Sequence, residues 1–83
     1  MLRSEARSFD APGLYVISVE GNVDASSSAY LQDLRVATRL TDHGKRVAIL
    51  SGELLDQAAL MGVLLFLNER GCVVLSVNRL STL

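Results

Sequence analysis

Few residues of this 83-residue chain have side chains that could do chemistry, and these residues are scattered along it. The single histidine, His43, stands beside Asp42 in a polar stretch, and the single cysteine, Cys72, follows Gly71. Proton transfer needs a histidine with a positioned partner in a cleft, whereas His43 fits an exposed turn. A reactive thiol needs basic neighbours, and only Arg70 is near. We therefore interpret Cys72 as a packing residue.

The sequence spells out no metal or nucleotide motif. One histidine and one cysteine cannot supply a metal site without several carboxylates. Gly44-Lys45 lacks the earlier glycine and the following Ser or Thr of a phosphate-binding loop. We predict no catalytic residue, no metal and no cofactor, and the sequence favours a protein that is not an enzyme without deciding that question.

Two loops could contact a small ligand. Asp24 and Asp56 each precede a predicted helix, whose N-terminus can accept an anion. Each aspartate also suits an N-cap, which contributes about 1 kcal/mol to a helix, and we favour that structural role. The predicted ligand-binding residues are Asn22, Asp24, Asp56 and Gln57.

Composition argues against several classes of partner. The net charge of −1 creates no field that attracts nucleic acid or an anionic membrane. The longest apolar run, residues 58–67, has about half of the ~20 residues that a membrane-spanning helix requires. The N-terminus lacks the apolar core of a signal peptide, and one cysteine excludes an internal disulfide. We expect a soluble cytoplasmic protein without nucleic-acid or membrane partners. Charge protection of a sheet edge explains the basic residues better than nucleic-acid binding does; they are Arg35, Arg39, Lys45 and Arg46.

Hydrophobic periodicity predicts most of the elements. Residues 1–12 form a mobile arm or a short edge strand, and residues 13–83 form a single domain. A strand rich in β-branched residues covers Leu14 to Glu20, and a short helix follows Asp24. A second helix begins after Asp56 and ends at Gly71, and a last strand runs from Cys72 to Val77, which residues 78–80 could extend. The core stripe of the second helix is predicted to comprise Ala59, Leu60, Val63, Leu64 and Leu67.

Residues 34–51 allow two interpretations. In the first, residues 34–41 alternate as a strand and turn through Asp42-His43-Gly44 into a returning strand from Lys45 to Ser51. In the second, one helix covers residues 25–43 and ends at Gly44. We favour the hairpin, because three of the eight residues from 34 to 41 are β-branched.

The hairpin interpretation gives the order strand, helix, strand, strand, helix, strand. That order is typical of the ferredoxin-like βαββαβ fold. The predicted fold class is therefore α+β, with a four-stranded antiparallel sheet and two helices on one face. The alternative, with one long first helix, is an α/β fold with a more parallel sheet.

Part of the chain resembles a motif of small uncharacterised bacterial proteins, roughly L-x-D-Q-A-A-L-H-G-x-L, then R-D-L-G and L-x-S-V. The matching segments are Leu54–Gly62, residues 64–71 and Val74–Val77, together with Leu50-x-Gly52 and Val19-Glu20-Gly21. The chain departs from that pattern at Asn68-Glu69 and at Met61, where the family more often has histidine, so no role of the histidine transfers to this chain. The resemblance implies an α+β fold of the ferredoxin-like or ACT-like kind and no assigned activity.

A weaker resemblance is to STAS domains. Leu50-Ser51-Gly52, followed by residues 55–60, is similar to their strand and to the D-S-S-G-L turn that starts a helix. Gln57 stands where the phosphorylated serine would be. This resemblance implies a STAS-like α/β partner-binding domain without the phosphorylation switch.

The chain has more apolar residues than a small domain can bury. Hydrophobic residues make up 49% of the sequence and the mean hydropathy is +0.32, whereas a domain of this size buries only about 60% of its unfolded surface. We expect a homodimer or a higher homo-oligomer, formed through the open sheet face, the second helix or both. The predicted interface residues are Val16 and Val74 on the open sheet face, and Met61, Gly62, Leu65 and Phe66 on the second helix.

The favoured function is a non-catalytic regulatory or protein-interaction module. Sensing of a small ligand, as in ACT domains of similar topology, is one form that regulation could take, with a ligand that the sequence leaves unknown. The alternatives are a small enzyme on a dimeric α+β barrel, whose cavity needs convergent polar groups, and the STAS-like partner-binding domain.

Overall fold

A computed structural model describes residues 12–23, 31–32 and 34–82 of the chain. In these residues four strands and one helix follow in the order β1 (Gly13–Glu20), β2 (Arg35–Leu40), β3 (Arg46–Leu54), α1 (Gln57–Glu69) and β4 (Val73–Thr82). The sheet has the order β2-β3-β1-β4, and each neighbouring pair is antiparallel. The protein is therefore an α+β domain with an open antiparallel sheet, and the more parallel sheet of the α/β alternative is wrong.

Two predicted elements lie outside the described residues. The arm over residues 1–12 is described only at Pro12, and the helix after Asp24 falls largely on residues 24–30 and 33. The second helix is confirmed as α1, which begins directly after Asp56 and ends at Glu69, two residues before Gly71.

The pairing directions define how the chain crosses the sheet. Because β1 and β2 are both antiparallel to β3, they run the same way on either side of it. Likewise β3 and β4 run the same way on either side of β1. The connections from β1 to β2 and from β3 to β4 therefore each pass over one intervening strand, and only β2 and β3 form a hairpin.

The hairpin over residues 35–54 is confirmed, and the single helix over 25–43 is wrong. Thr41 organises its loop: the Thr41 backbone N–H donates to the Lys45 carbonyl (2.8 Å). Its Oγ1 accepts from the backbone N–H groups of His43 (3.3 Å) and Lys45 (3.1 Å). Gly44 takes φ +79°, a conformation that glycine adopts without steric cost. Local turn chemistry and β-branched residues thus favour the hairpin over the helix.

The core lies between one face of the sheet and α1. Burial alternates along β1: Tyr15, Ile17 and Val19 are buried, and the residues between them are half-buried. β1 is a central strand, since it lies between β3 and β4, and its alternating side chains point to opposite faces of the sheet. The predicted stripe of α1 faces this core, with Leu60, Val63 and Leu67 buried and Ala59 and Leu64 packed at its margin.

Both predicted ends of α1 are confirmed. Asp56 is the N-cap, and its Oδ1 accepts a hydrogen bond from the Ala59 backbone N–H at 2.9 Å. At the other end Gly71 takes φ +79°. The N–H of Cys72 donates to the Leu67 carbonyl, and the N–H of Gly71 to the Asn68 carbonyl. This pair of bonds is a Schellman motif, which satisfies carbonyls that the helix leaves without a partner.

The last strand includes the extension over residues 78–80 and is less regular than the sequence predicts. β4 extends through residues 78–80 to Thr82, and its register with β1 shifts at two places, so that β1 has no residue opposite Leu75 or Leu80. Val74 lies opposite Val19 and Val77 opposite Ile17. Since opposed residues of an antiparallel pair point to the same face, both valines are on the α1 face. The prediction that Val74 lies on the open face is wrong, because the shift at Leu75 interrupts the alternation on which it rested.

Candidate functional site

The predicted ligand-binding residues lie at opposite ends of the sheet. Asn22 follows β1, whose last residue Glu20 pairs with Val47 at the start of β3, whereas Asp56 and Gln57 follow the end of β3. A strand of eight residues at about 3.3 Å per residue separates these ends by roughly 25 Å. Asn22 and the Asp56-Gln57 pair therefore cannot bind one ligand together, and Asp24 lies outside the described residues.

Asp56 and Gln57 have an ordinary structural setting. Both are exposed, and the Asp56 carboxylate already accepts the Ala59 N–H of the N-cap. This arrangement fits the structural role that the sequence favours for Asp56. A helix N-terminus with a satisfied cap contains nothing further that points to a ligand.

His43 and Cys72 occupy the positions expected of residues without a chemical role. His43 is exposed in the β2–β3 loop. Cys72 is buried and not disulfide-bonded, and it packs so closely under Gly21 that a Cβ at Gly21 would lie 2.8 Å from the Cys72 Sγ. Cys72 therefore fixes the contact between the end of β1 and the start of β4, as a packing residue does.

The described residues form no cavity that would enclose a small molecule. They also contain no cluster of histidine, cysteine, aspartate and glutamate side chains that could hold a metal ion. Within the same part of the chain, no helix is both long and apolar enough to cross a membrane.

The predicted interface residues are spread over three surfaces. Val16 is half-buried on the open sheet face, and Val74 lies on the α1 face of β4 with 37% of its surface exposed. Met61 and Leu65 point outward from α1. The remaining two are also on the helix. Gly62 is exposed with nothing within 4 Å of a Cβ built there, and half-buried Phe66 packs under the Arg70 guanidinium, 4.9 Å from the ring centre.

The most apolar part of the described surface is the outer edge of β4, which we call the β4 edge, and the sequence interpretation named only Val74 from it. Of the nine exposed large apolar residues in the described chain, five lie on this strand. The sequence signal was present, since residues 73–82 contain many β-branched residues and a single charge. These five residues are Val73, Val74, Leu75, Val77 and Leu80.

The one charged residue of β4, Arg79, folds inward over β1. Its Nη1 donates to the Tyr15 hydroxyl (3.3 Å) and its Nη2 to the Pro12 carbonyl (3.2 Å). The guanidinium also lies 5.6 Å from the centre of the Tyr15 ring. Gly13 leaves room for it, because a Cβ there would come within 2.7 Å of the guanidinium carbon. The positive charge of Arg79 therefore lies at the junction of β1 and β4.

The opposite edge of the sheet, the outer edge of β2, has a different character and is called the β2 edge. β2 has six residues, with Arg35 and Arg39 both exposed. Leu40 is its only exposed large apolar residue. Beside it, the Lys45 Nζ lies 3.2 Å from a Glu20 carboxylate oxygen.

Comparison with known proteins places the chain in a family. Neither the curated proteins nor the solved structures include one that matches it. Residues 14–78, well over half of the chain, match the family described as a domain of unknown function, DUF8691. The matched range begins in β1 and ends within β4, so it includes β2, β3 and the helix in full and most of β1 and β4. The protein belongs to the DUF8691 family.

Proposed function

We propose that this domain is a non-catalytic interaction module that acts by associating with copies of itself. The observation that carries the proposal is the set of large apolar side chains exposed on the described surface. Met61, Leu65 and Leu80 each expose more than half of their area. Monomeric soluble proteins rarely expose contiguous apolar patches of more than a few hundred Å². A small domain also gains stability when an interface between copies enlarges its core.

The proposal includes a complete ferredoxin-like βαββαβ fold, with a second helix beside α1. The strand order and the two crossings over an intervening strand support it. Leu31 and Leu34 are both buried in the core, and Leu34 approaches β3 so closely that a Cβ at Gly52 would lie 3.1 Å from its Cδ2. In this proposal the chain before Leu31 forms the second helix and covers the β3 side of the sheet. The proposal also includes a cytoplasmic location for the protein.

Sedimentation of the purified chain tests self-association directly. The wild-type protein is expected to sediment with at least about twice its monomer mass of 9.0 kDa, and to dissociate on dilution. Sedimentation at 9.0 kDa at every concentration up to about 1 mM would contradict the proposal.

Variants of α1 ask whether the helix is part of the interface. Met61→Asp and Leu65→Asp remove exposed apolar area, and Asn68→Asp adds the same charge at an exposed position without removing any. If α1 is part of the interface, the first two variants lower the sedimentation mass and the third leaves it unchanged. Dissociation by all three would attribute the effect to charge rather than to the apolar contact.

A further inference from the structure

β4 is an edge strand with properties that favour pairing with another strand. It has ten residues, and none of the described strands pairs with its outer side. The backbone N–H and C=O groups along such an edge form a template for a further strand, and proteins usually protect it with charges, prolines or a cover. Residues 73–82 contain no proline, and their one charge, on Arg79, is folded over Tyr15. The β4 edge therefore lacks charge protection.

We propose that β4 pairs antiparallel with β4 of a second copy of this chain, joining the two sheets into one across a two-fold axis. The inference rests on the proposed self-association and names the surface that mediates it. It also gives a place to Leu75 and Leu80, which have no opposite residue in β1 and are 54% and 63% exposed. Side chains on the adjoining strand of the second copy would cover part of this apolar area.

Charge favours a second copy on the β4 edge and disfavours one on the β2 edge. In a two-fold antiparallel pair, residues equally distant from the axis face each other. β4 brings like charges together only when the axis passes through Arg79 itself, because no other residue from 73 to 82 is charged. In β2, an axis at Ala37 puts Arg35 opposite Arg39 of the other copy, and like charges directly opposite are destabilising.

Symmetry gives a second reason. Pairing of β4 with β2 of another copy would leave one strand edge of each kind at the ends of the assembly, so that further copies could add without limit. Pairing of β4 with β4 uses both apolar edges and closes at two copies. The sheet of the dimer then ends on each side at a β2 edge, where Arg35 and Arg39 are exposed.

One pair of matched variants separates the two edges. Leu80→Lys on β4 and Leu40→Lys on β2 place the same charge at two leucines that are each 63% exposed. Leu80→Lys is expected to weaken dimerisation at least about tenfold and to shift the sedimentation mass toward 9.0 kDa. Leu40→Lys is expected to leave the mass at the wild-type value. Leu75→Lys, at the other register shift, repeats the test, and circular dichroism confirms that each variant is folded.

Amide hydrogen exchange shows whether the backbone of β4 takes part. In the wild-type dimer, β4 amides that point away from β1 are expected to be protected, and this protection should be lost in Leu80→Lys and on dilution. Protection that persists where the protein sediments as a monomer would show that the chain's own residues occupy the edge, and would overturn the proposal.

The outcomes distinguish this inference from the function on which it rests. A wild-type protein that is monomeric at every concentration contradicts both. If the wild type associates and both β4 variants remain associated, while Leu65→Asp on α1 or Val16→Asp on the open face dissociates it, the self-association stands and the β4 pairing is wrong. If the β4 variants alone dissociate the protein, the inference is confirmed.

Discussion

The two edges of one sheet are built in different ways. On the β2 side, six residue pairs join β2 to β3 without a register shift, and exposed arginines line the outer strand. On the β4 side, the register with β1 shifts twice and the outer strand is mostly apolar. Charged residues protect the β2 edge against pairing with another strand, as they do on exposed edge strands of other proteins. The β4 edge is apolar, as protein surfaces that form interfaces are.

The difference reflects how far apart in sequence the paired strands are. β2 and β3 are joined by the five residues from Thr41 to Lys45, so local turn chemistry fixes their register. β1 and β4 are separated by β2, β3 and α1, and close contacts hold them together instead. One contact, between Gly21 and Cys72, lies at the end of β1, and the other, between Arg79 and Tyr15, lies near its start. Matched substitutions on the two sides test this contrast.

The largest expected effect is at the glycines. Gly21 has φ +144°, and a Cβ there would lie 2.8 Å from the Cys72 Sγ. Gly21→Ala should therefore lower the free energy of unfolding by about 3 kcal/mol, through backbone strain and overpacking together. A Cβ at Gly44 would have nothing within 4 Å, so Gly44→Ala adds only the strain of a positive φ. Its free energy of unfolding is expected to fall by about 1 kcal/mol. Urea denaturation measures both, and equal losses would contradict the tighter packing of the β4 side.

The second effect compares one arginine from each side. Arg79→Ala removes the hydrogen bonds to Tyr15 and Pro12 and the contact with the Tyr15 ring, so unfolding should become easier by about 1.5 kcal/mol. Arg39→Ala, at an exposed position of β2, should change stability by no more than about 0.5 kcal/mol. Thermal unfolding followed by circular dichroism ranks the two. A larger effect at Arg39 would contradict the conclusion that the contacts of Arg79 hold β1 and β4 together.

The third effect concerns the side chains that organise the two connections. Asp56→Ala removes the N-cap of α1, which leads from β3 to β4, and should cost about 1 kcal/mol. Thr41→Val removes the hydroxyl that accepts two N–H groups in the hairpin loop. Because that loop is exposed, water replaces the lost partner and about 0.5 kcal/mol is expected. Chemical denaturation of the two variants would contradict this order if Thr41→Val were the more destabilising.

The smallest effect is expected at the ion pair between the hairpin loop and β1. Lys45→Gln breaks the 3.2 Å contact with Glu20, but the Lys45 side chain is 65% exposed. Solvent therefore screens the pair, and the loss should stay below about 0.5 kcal/mol. It should vanish near 1 M salt, where the screening length is about 3 Å. A loss that persists in high salt would show that the side chain contributes by packing rather than by charge.

Local sequence signals predicted much of this fold. β-Branched residues identified β1, and a cap at each end delimited α1 at Asp56 and Gly71. Turn chemistry favoured the hairpin over a long helix. Each of these features depends on residues within a few positions of each other, so the chain order alone contains the information.

The candidate surfaces were less predictable. The sequence placed Val74 on the open face, because strict alternation cannot reveal a register shift that arises only when β4 meets β1. It also gave no sign that the guanidinium of Arg79 would reach Tyr15, 64 positions earlier. Whether a charge protects an edge depends on where its side chain lies, and that requires the assembled sheet.

The amino-acid sequence by itself determined the elements, their caps, the hairpin and the surplus of apolar residues, because these follow from propensity, periodicity and composition. Only the tertiary structure decided the strand order, the two register shifts and which edge is apolar, because each depends on contacts between residues far apart in the chain. The structure also shows where the surplus apolar residues lie, which is on the outer strand β4 and on the exposed side of α1.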